Sequence, residues 1–101
     1  MNGIEFESPS TTKITIYSKT DCVNCYKLKD ILNKTGVEYH MINCDKYLVD
    51  TKTKNKFLEF IESISEIPTN TFPIVFDTNM KYIGGYLESK KYIQDNFVFC
   101  F

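Results

Sequence analysis

The spacing of apolar residues along the first half of the chain predicts a strand, a helix and a second strand. Residues 13–18, KITIYS, alternate isoleucine with other β-forming residues and predict a strand. Asp21 is the predicted N-cap of the helix that follows, and Gly36 is its predicted C-terminal stop. Residues 37–44, VEYHMINC, alternate again and predict the second strand. The helix between the strands is indicated by residues that recur at helical spacing: Cys25, Leu28, Ile31, Leu32 and Thr35.

The second half of the chain predicts a helix, two antiparallel strands and a last helix. Residues 51–66 predict an amphipathic helix, with lysines and glutamates opposite its apolar stripe. PIVFD at 73–77 and KYIGGY at 81–86 predict a hairpin that turns at residues 77–79. Residues 87–96 predict the last helix, and FVFCF ends the chain. The stripe of the first of these helices, which we expect in the core, consists of Phe57, Phe60, Ile61 and Ile64.

The order of these elements predicts one small α/β domain. Two parallel strands that bracket a helix form a right-handed crossover unit, and a length of 101 residues suits a single core. We expect a three-layer sandwich: a four-stranded mixed sheet, parallel in its first pair and antiparallel in its last, with helices on both faces. Residues 1–11 are predicted to be a flexible N-terminal leader, and residues 12–101 to be the domain.

Composition and charge exclude several classes of partner. The formal net charge of -1 argues against a nucleic-acid binder, which usually shows a basic face. No apolar run approaches the roughly 20 residues that span a bilayer, so no membrane partner is expected. The first ten residues show neither the cationic nor the apolar region of a secretory signal. We therefore expect a soluble, cytoplasmic monomer, in whose reducing surroundings cysteines serve catalysis or metal binding more often than structural disulfides.

The pair Cys22 and Cys25 admits three interpretations. A structural zinc site needs four ligands in paired spacing, whereas Cys44, Cys100 and His40 are unpaired, so no metal is expected. A structural disulfide is disfavoured because a loop of only four residues constrains the unfolded chain little. Thiol–disulfide exchange is favoured, because a strand that leads into Cys-x-x-Cys at a helix start within a βαβ unit is the thioredoxin-like signature.

The position of Cys22 explains why it would be the reactive thiol. A free cysteine with a pKa of about 8.5 is only roughly 3% ionised at pH 7. Unpaired N–H groups at the helix N-terminus lower such a pKa by up to about one and a half units. Lys19 adds a cation, and Asp21 opposes both effects. The Cys22 sulfur is thus predicted to be open at the start of the helix and to attack a disulfide, and Cys25, one turn deeper, to resolve the product. Cys44 is interpreted as a small buried hydrophobic residue.

Three motifs together resemble the glutaredoxin family: IYSKTDCVNC at 16–25, TFP at 71–73 and YIGG at 82–85. The resemblance extends from about residue 13 to residue 96. It implies a thioredoxin-like fold and a glutathione-dependent thiol–disulfide oxidoreductase that reduces protein disulfides or glutathione mixed disulfides. In that reaction Cys22 would form the mixed disulfide, Cys25 would resolve it, and glutathione would serve as co-substrate. Disulfide-containing or glutathionylated proteins would be the partners.

The resemblance also implies the residues that contact glutathione. Pro73 would be a cis proline that turns the backbone of Phe72 toward Cys22, and Lys19 would pair with the glycyl carboxylate. The glycine pair would let backbone approach the ligand, and the segment after it would meet the γ-glutamyl end. The complete implied set is Lys19, Thr71, Phe72, Pro73, Gly84, Gly85, Tyr86, Leu87 and Glu88.

The chain departs from the family pattern at the site itself. Val23-Asn24 replaces the usual Pro-Tyr between the cysteines, and Leu87 stands where the family commonly has a small polar residue. Two alternative functions follow. A thioredoxin-like protein disulfide reductase is disfavoured because the chain has no tryptophan. A [2Fe–2S] cluster-binding module is the other alternative, since loss of the site proline at Val23 is the kind of change that permits a cluster.

Overall fold

The computed structural model describes residues 5–97, which form a four-stranded sheet with helices on both sides. Residues 1–4 and 98–101, and with them Cys100 and most of the FVFCF segment, lie outside the described part. Within that part, no helix is long and apolar enough to cross a membrane. The elements in chain order are β1 Ile14–Ser18, α1 Val23–Thr35, β2 Tyr39–Asn43, a 3₁₀ turn Asp45–Tyr47, α2 Thr51–Ser65, β3 Ile74–Phe76, β4 Tyr82–Gly84 and α3 Tyr86–Phe97.

The sheet has the predicted mixed topology, with strand order β2-β1-β3-β4. β1 runs parallel to β2, with Ser18 opposite Asn43 at their carboxyl ends. β1 is antiparallel to β3, and β3 is antiparallel to β4. Since β1 lies inside the sheet under helices on both faces, all five of its residues are buried. The predicted fold class is therefore confirmed.

Each face of the sheet has its own core, because successive side chains of a strand point to opposite faces. α2 covers the aromatic core, and α1 and α3 cover the aliphatic core. The predicted α2 stripe lies in the first of these, with Phe57 and Ile61 fully buried and Phe60 and Ile64 packed against them. The aromatic core consists of Tyr17, Ile42, Cys44, Tyr47, Phe57, Ile61, Ile74 and Phe76. The aliphatic core consists of Ile14, Ile16, Leu28, Leu32, Val75 and Ile93.

The two ends of α1 differ in how well the sequence predicts them. Gly36 ends the helix as predicted, with φ 75° and its N–H bonded to the carbonyl oxygen of Leu32 at 3.0 Å. The predicted N-cap, Asp21, is wrong. The cap is Cys22, whose Sγ accepts the N–H of Cys25 at 3.2 Å, while Asp21 has a left-handed φ of 61°. A sulfur atom takes the capping position that Asp usually fills.

Residues 5–11 belong to the predicted leader, and several of them contact the domain, among them Phe6, Glu7 and Ser10. The ring of Phe6 packs against Tyr47, with 4.9 Å between the ring centroids, and also against Phe57 and Phe60. The carbonyl oxygen of Glu7 accepts the hydroxyl of Tyr17 at 2.6 Å, and the Glu7 carboxylate pairs with His40. This segment therefore lies over the aromatic core. The domain boundary after residue 11 stays a prediction.

Candidate functional site

The site is built around a disulfide that joins Cys22 to Cys25 at the start of α1, with 5.2 Å between the two Cα atoms. Cys22 is the N-cap, so its sulfur lies beside the unpaired N–H groups and the positive end of the helix dipole. In this disulfide form Cys22 is 7% exposed and Cys25 only 1%. We expected an open sulfur at position 22. It is largely covered, although it is the more accessible of the two.

The loop between β1 and α1 is held by Asp45, which follows β2. The Asp45 carboxylate accepts the backbone N–H of Thr20 at Oδ1 over 2.9 Å, and it accepts the Thr20 hydroxyl at Oδ2. Hydrogen bonds from Thr20, and then the ammonium of Lys19, hold the pKa of Asp45 below its usual value. Within residues 5–97, no other side-chain hydrogen bond reaches residues 19–21. Asp45 therefore anchors the chain just before Cys22.

An Asp45→Asn variant is expected to lower the melting temperature by a few degrees at pH 7. Because the folded-state pKa of Asp45 lies below the unfolded value of about 3.9, the stabilisation is present above that pH. It is lost as the pH falls through the folded-state pKa. Thermal unfolding of both proteins between pH 3 and pH 7 should show the difference shrink toward pH 3.

The matched control for this prediction is Asp30→Asn, which breaks an exposed ion pair to Lys34 at 3.0 Å on the surface of α1. Exposed pairs contribute little, so the control should unfold nearly as the unchanged protein does at every pH. A difference for Asp45→Asn that is equally large at pH 3 and pH 7 would contradict the role of the ionised carboxylate.

The segment Thr71–Pro73 lies beside the loop that precedes Cys22, since Phe72 contacts Lys19 of that loop. The Phe72–Pro73 peptide bond is cis, as the family resemblance implies. The ring of Phe72 stacks on Phe57, with 6.3 Å between centroids and 5° between planes. Lys19 Nζ lies 5.6 Å from the centroid of the Phe72 ring, within the range of a cation–π contact. Lys19 and Phe72, two of the predicted glutathione contacts, are thus neighbours.

The glycine pair at the end of β4 supports the start of α3. Gly84 has φ 143°, a region that side chains rarely adopt, and a Cβ placed there would lie 2.6 Å from the Cβ of Glu88. The Glu88 carboxylate accepts the N–H of Gly85 at 3.0 Å, as a glutamate in the first helical turn does when it reaches back to the cap. Only glycine allows Glu88 to fold over the strand end in this way.

A cavity of about 610 Å³ brings most of the predicted contacts together. Seven of the nine predicted glutathione contacts line it, and Asn24, between the two cysteines, lines it as well. Lys19 and Pro73 are not part of the lining, although Lys19 contacts the lining residue Phe72. The lining residues are Asn24, Ile67, Thr69, Thr71, Phe72, Tyr82, Ile83, Gly84, Gly85, Tyr86, Leu87 and Glu88.

The third described cysteine, Cys44, has the buried environment that we predicted. It is 0% exposed, and burial raises the pKa of its thiol to about 12. A thiol with such a pKa is protonated at neutral pH and is therefore a poor nucleophile. Within residues 5–97, no group of three or more His, Cys, Asp and Glu side chains is arranged to hold a metal ion.

The sequence analysis missed Asp45 and several lining residues. The signal for Asp45 was present: Thr20 and Asp45 each lie two residues after the register pair Ser18 and Asn43, which ends two parallel strands. Parallel strands end at the same edge of a sheet, so residues that follow them become neighbours. Ile67, Thr69 and Tyr82 carry no comparable signal, because the loop before β3 and a strand edge bring them to the cavity.

Comparison with known proteins agrees with this geometry. The family model described as Glutaredoxin matches residues 14–83. The glutaredoxin-like protein NrdH of Escherichia coli is 41% identical over 34 residues, which are 34% of this chain and 42% of that protein. The match therefore spans about two fifths of the length of this curated relative.

Solved structures extend the similarity to most of the described chain. Glutaredoxin 1 from Francisella tularensis, complexed with cacodylate, superimposes with a TM-score of 0.68 at 25% identity, covering 82% of this chain and 93% of that one. A buckwheat glutaredoxin–glutathione complex, at 21% identity and TM-score 0.66, covers 88% of this chain and 74% of that one and shows the shared fold. The family match over most of the chain, together with the cysteine pair at the head of α1, shows that the chain belongs to the glutaredoxin family, whose members are thiol–disulfide oxidoreductases.

Proposed function

We propose that this protein reduces disulfide bonds through a dithiol cycle of Cys22 and Cys25. The observation that carries the proposal is the disulfide at the N-terminus of α1, beside a cavity that can receive a peptide. Cys22 is the attacking thiol, because it caps the helix and is the more exposed of the two. Cys25 lies one turn deeper and resolves the mixed disulfide.

The cycle balances in four exchanges. The Cys22 thiolate attacks one sulfur of the substrate disulfide, and the other sulfur leaves as a thiolate that takes up a proton. The Cys25 thiolate then attacks the Cys22 sulfur, which releases the second substrate thiol and leaves the Cys22–Cys25 disulfide. Two glutathione thiols, acting in turn, return the disulfide to the dithiol and leave as glutathione disulfide. The substrate gains two electrons and two glutathione molecules lose one each.

Glutathione as the reductant is the finer part of the proposal. It is supported by family membership and by the clustering of the predicted contacts around the cavity. In this assignment Lys19 pairs with the glycyl carboxylate of glutathione. The Thr71–Pro73 segment and the Gly84–Gly85 pair contact glutathione through their backbone. The γ-glutamyl end lies toward Tyr86, Leu87 and Glu88. A reduction potential of about −200 to −230 mV is expected, as for glutaredoxins generally.

We also propose that the protein acts as a monomer in the reducing cytoplasm on disulfide-containing or glutathionylated proteins.

A coupled assay distinguishes glutathione from other electron donors. With glutathione, glutathione reductase and a small mixed disulfide, NADPH consumption should depend on the protein and saturate with substrate. The parallel assay replaces the glutathione system with thioredoxin reductase and should show little activity. Activity that requires thioredoxin reductase would overturn the glutathione assignment and leave the dithiol cycle in place.

A further inference from the structure

Exposed apolar side chains concentrate around the redox pair and the cavity. Single exposed apolar residues are common on any protein surface and need no explanation by themselves. Here, however, Leu87 is 71% exposed and Ile67 is 50% exposed, and both line the 610 Å³ cavity. Asn24, which lies between the two cysteines, lines the same cavity. Val23 and Tyr26, 64% and 57% exposed, lie in the first turn of α1. Four of the six large apolar residues exposed within residues 5–97 thus surround one site.

The charged groups in and around the cavity are the second feature that bears on its ligand. Of the twelve described residues that line it, Glu88 is the only one with a carboxylate, ammonium, guanidinium or imidazole side chain. Two ammonium groups lie against aromatic rings of the lining: Lys27 Nζ is 6.0 Å from the ring centroid of Tyr86, and Lys19 Nζ is 5.6 Å from that of Phe72. Neither lysine is itself part of the lining. A ligand that enters beside Glu88 therefore meets a carboxylate and is favoured if it brings a cation there.

Glutathione uses only part of this surface. Its glutamyl, cysteinyl and glycyl units carry no apolar side chain that could cover Leu87 or Ile67. A longer peptide around a reacting cysteine can cover them, and burial of apolar side chains favours binding. An extended protein segment therefore matches the cavity more completely than the tripeptide does.

We infer that Leu87 and Glu88 select protein substrates in which an apolar residue and a basic residue flank the reacting cysteine. The apolar residue packs on Leu87, and the basic residue pairs with the Glu88 carboxylate. This inference rests on the proposed dithiol cycle and names the substrate class of that site. Glu88 is suited to the task because its bond to the Gly85 N–H fixes one oxygen and leaves the second to bind a ligand.

The test is single-turnover reduction of synthetic peptide disulfides by the fully reduced protein, with no glutathione present. The peptides are homodimers joined through one cysteine, with Lys, Gln or Glu placed within two residues of it. The unchanged protein should reduce the Lys peptide about five- to tenfold faster than the Glu peptide at low salt. In about 0.5 M salt the preference should shrink, because exposed charges are screened.

A Glu88→Gln variant should lose this preference to within about twofold, because glutamine removes the charge. Its side-chain oxygen can still accept the Gly85 N–H, so the start of α3 is preserved. The matched control is Glu38→Gln, at an exposed position outside the cavity, which should keep the full preference. Loss of the preference in both variants would assign it to net charge and overturn the inference.

The apolar half of the inference is tested with peptides that carry Phe or Ser beside the cysteine. Leu87→Ser should slow reduction of the Phe peptide about fivefold more than it slows reduction of the Ser peptide. Val49→Ser is the matched control, because Val49 is 73% exposed and lies outside the cavity. Equal rates for all peptides in the unchanged protein would overturn the inference and leave the dithiol cycle standing. Failure to reduce any peptide would instead contradict the dithiol cycle.

Discussion

A Cys22→Ser variant is expected to lose disulfide reductase activity by more than about a thousandfold, down to the rate of glutathione alone. Serine fits the site and its hydroxyl can cap α1 as the sulfur does. A hydroxyl, however, is not ionised at neutral pH and cannot form a disulfide with the substrate. The variant should therefore fold normally, which circular dichroism and thermal unfolding would check, and should not turn over in the coupled NADPH assay.

The matched variant Cys25→Ser separates attack from resolution. Cys22 remains able to attack, but the internal thiol that releases the second half of the substrate is missing. With a protein disulfide, this variant should accumulate a covalent mixed disulfide through Cys22, visible by mass spectrometry and reversed by added thiol. An adduct through Cys25 in the Cys22→Ser variant, of comparable yield, would reverse the assigned order of the two thiols.

A Phe57→Ala variant is expected to lower the free energy of unfolding by about 3–5 kcal/mol, which is a large part of the stability of a small domain. Phe57 is fully buried, and its ring contacts those of Phe6, Tyr17, Tyr47 and Phe72. The structure around so many fixed rings can collapse only partly into the cavity that alanine leaves. Urea or thermal unfolding should show the loss, with a fall of at least about 10 °C in the midpoint.

Two control variants bracket this prediction. Phe57→Leu keeps most of the buried volume and should cost less than about half as much as alanine. Val49→Ala removes an exposed side chain and should change stability by no more than about 0.5 kcal/mol. If Phe57→Ala cost less than about 1 kcal/mol, the aromatic cluster would not be the centre of the core. Because Phe72 stacks on Phe57, any surviving folded Phe57→Ala protein should also show weakened substrate binding.

The elements of the fold are predictable because each has a strong local pattern. Isoleucine at alternate positions identifies β1, and a left-handed glycine, Gly36, ends α1 where the pattern predicts. The aromatic stripe of α2 is equally clear, since residues three and four apart share a helix face. Local periodicity and capping chemistry therefore account for the architecture.

Features that depend on tertiary contacts are less predictable. Asp21 has the side chain of a good N-cap, but it has a positive φ of 61° and Cys22 takes the capping position. Phe6 is an isolated apolar residue in a polar segment, so no periodicity marks its contact with Tyr47 and Phe57. Asp45 becomes visible only when β1 and β2 are paired in register. These positions lie at the site or over the core because long-range packing outweighs local preference there.

The central claim is that the helix N-terminus ionises Cys22 at neutral pH once the disulfide is reduced. Its direct test is the alkylation rate of Cys22 against pH in a Cys25→Ser, Cys100→Ser background, in which the buried Cys44 stays protonated. We expect a midpoint at about pH 7, roughly one and a half units below that of a free cysteine. The same measurement on Cys25 in a Cys22→Ser, Cys100→Ser background should give a higher midpoint. A Cys22 midpoint at or above about pH 8.5 would contradict the account.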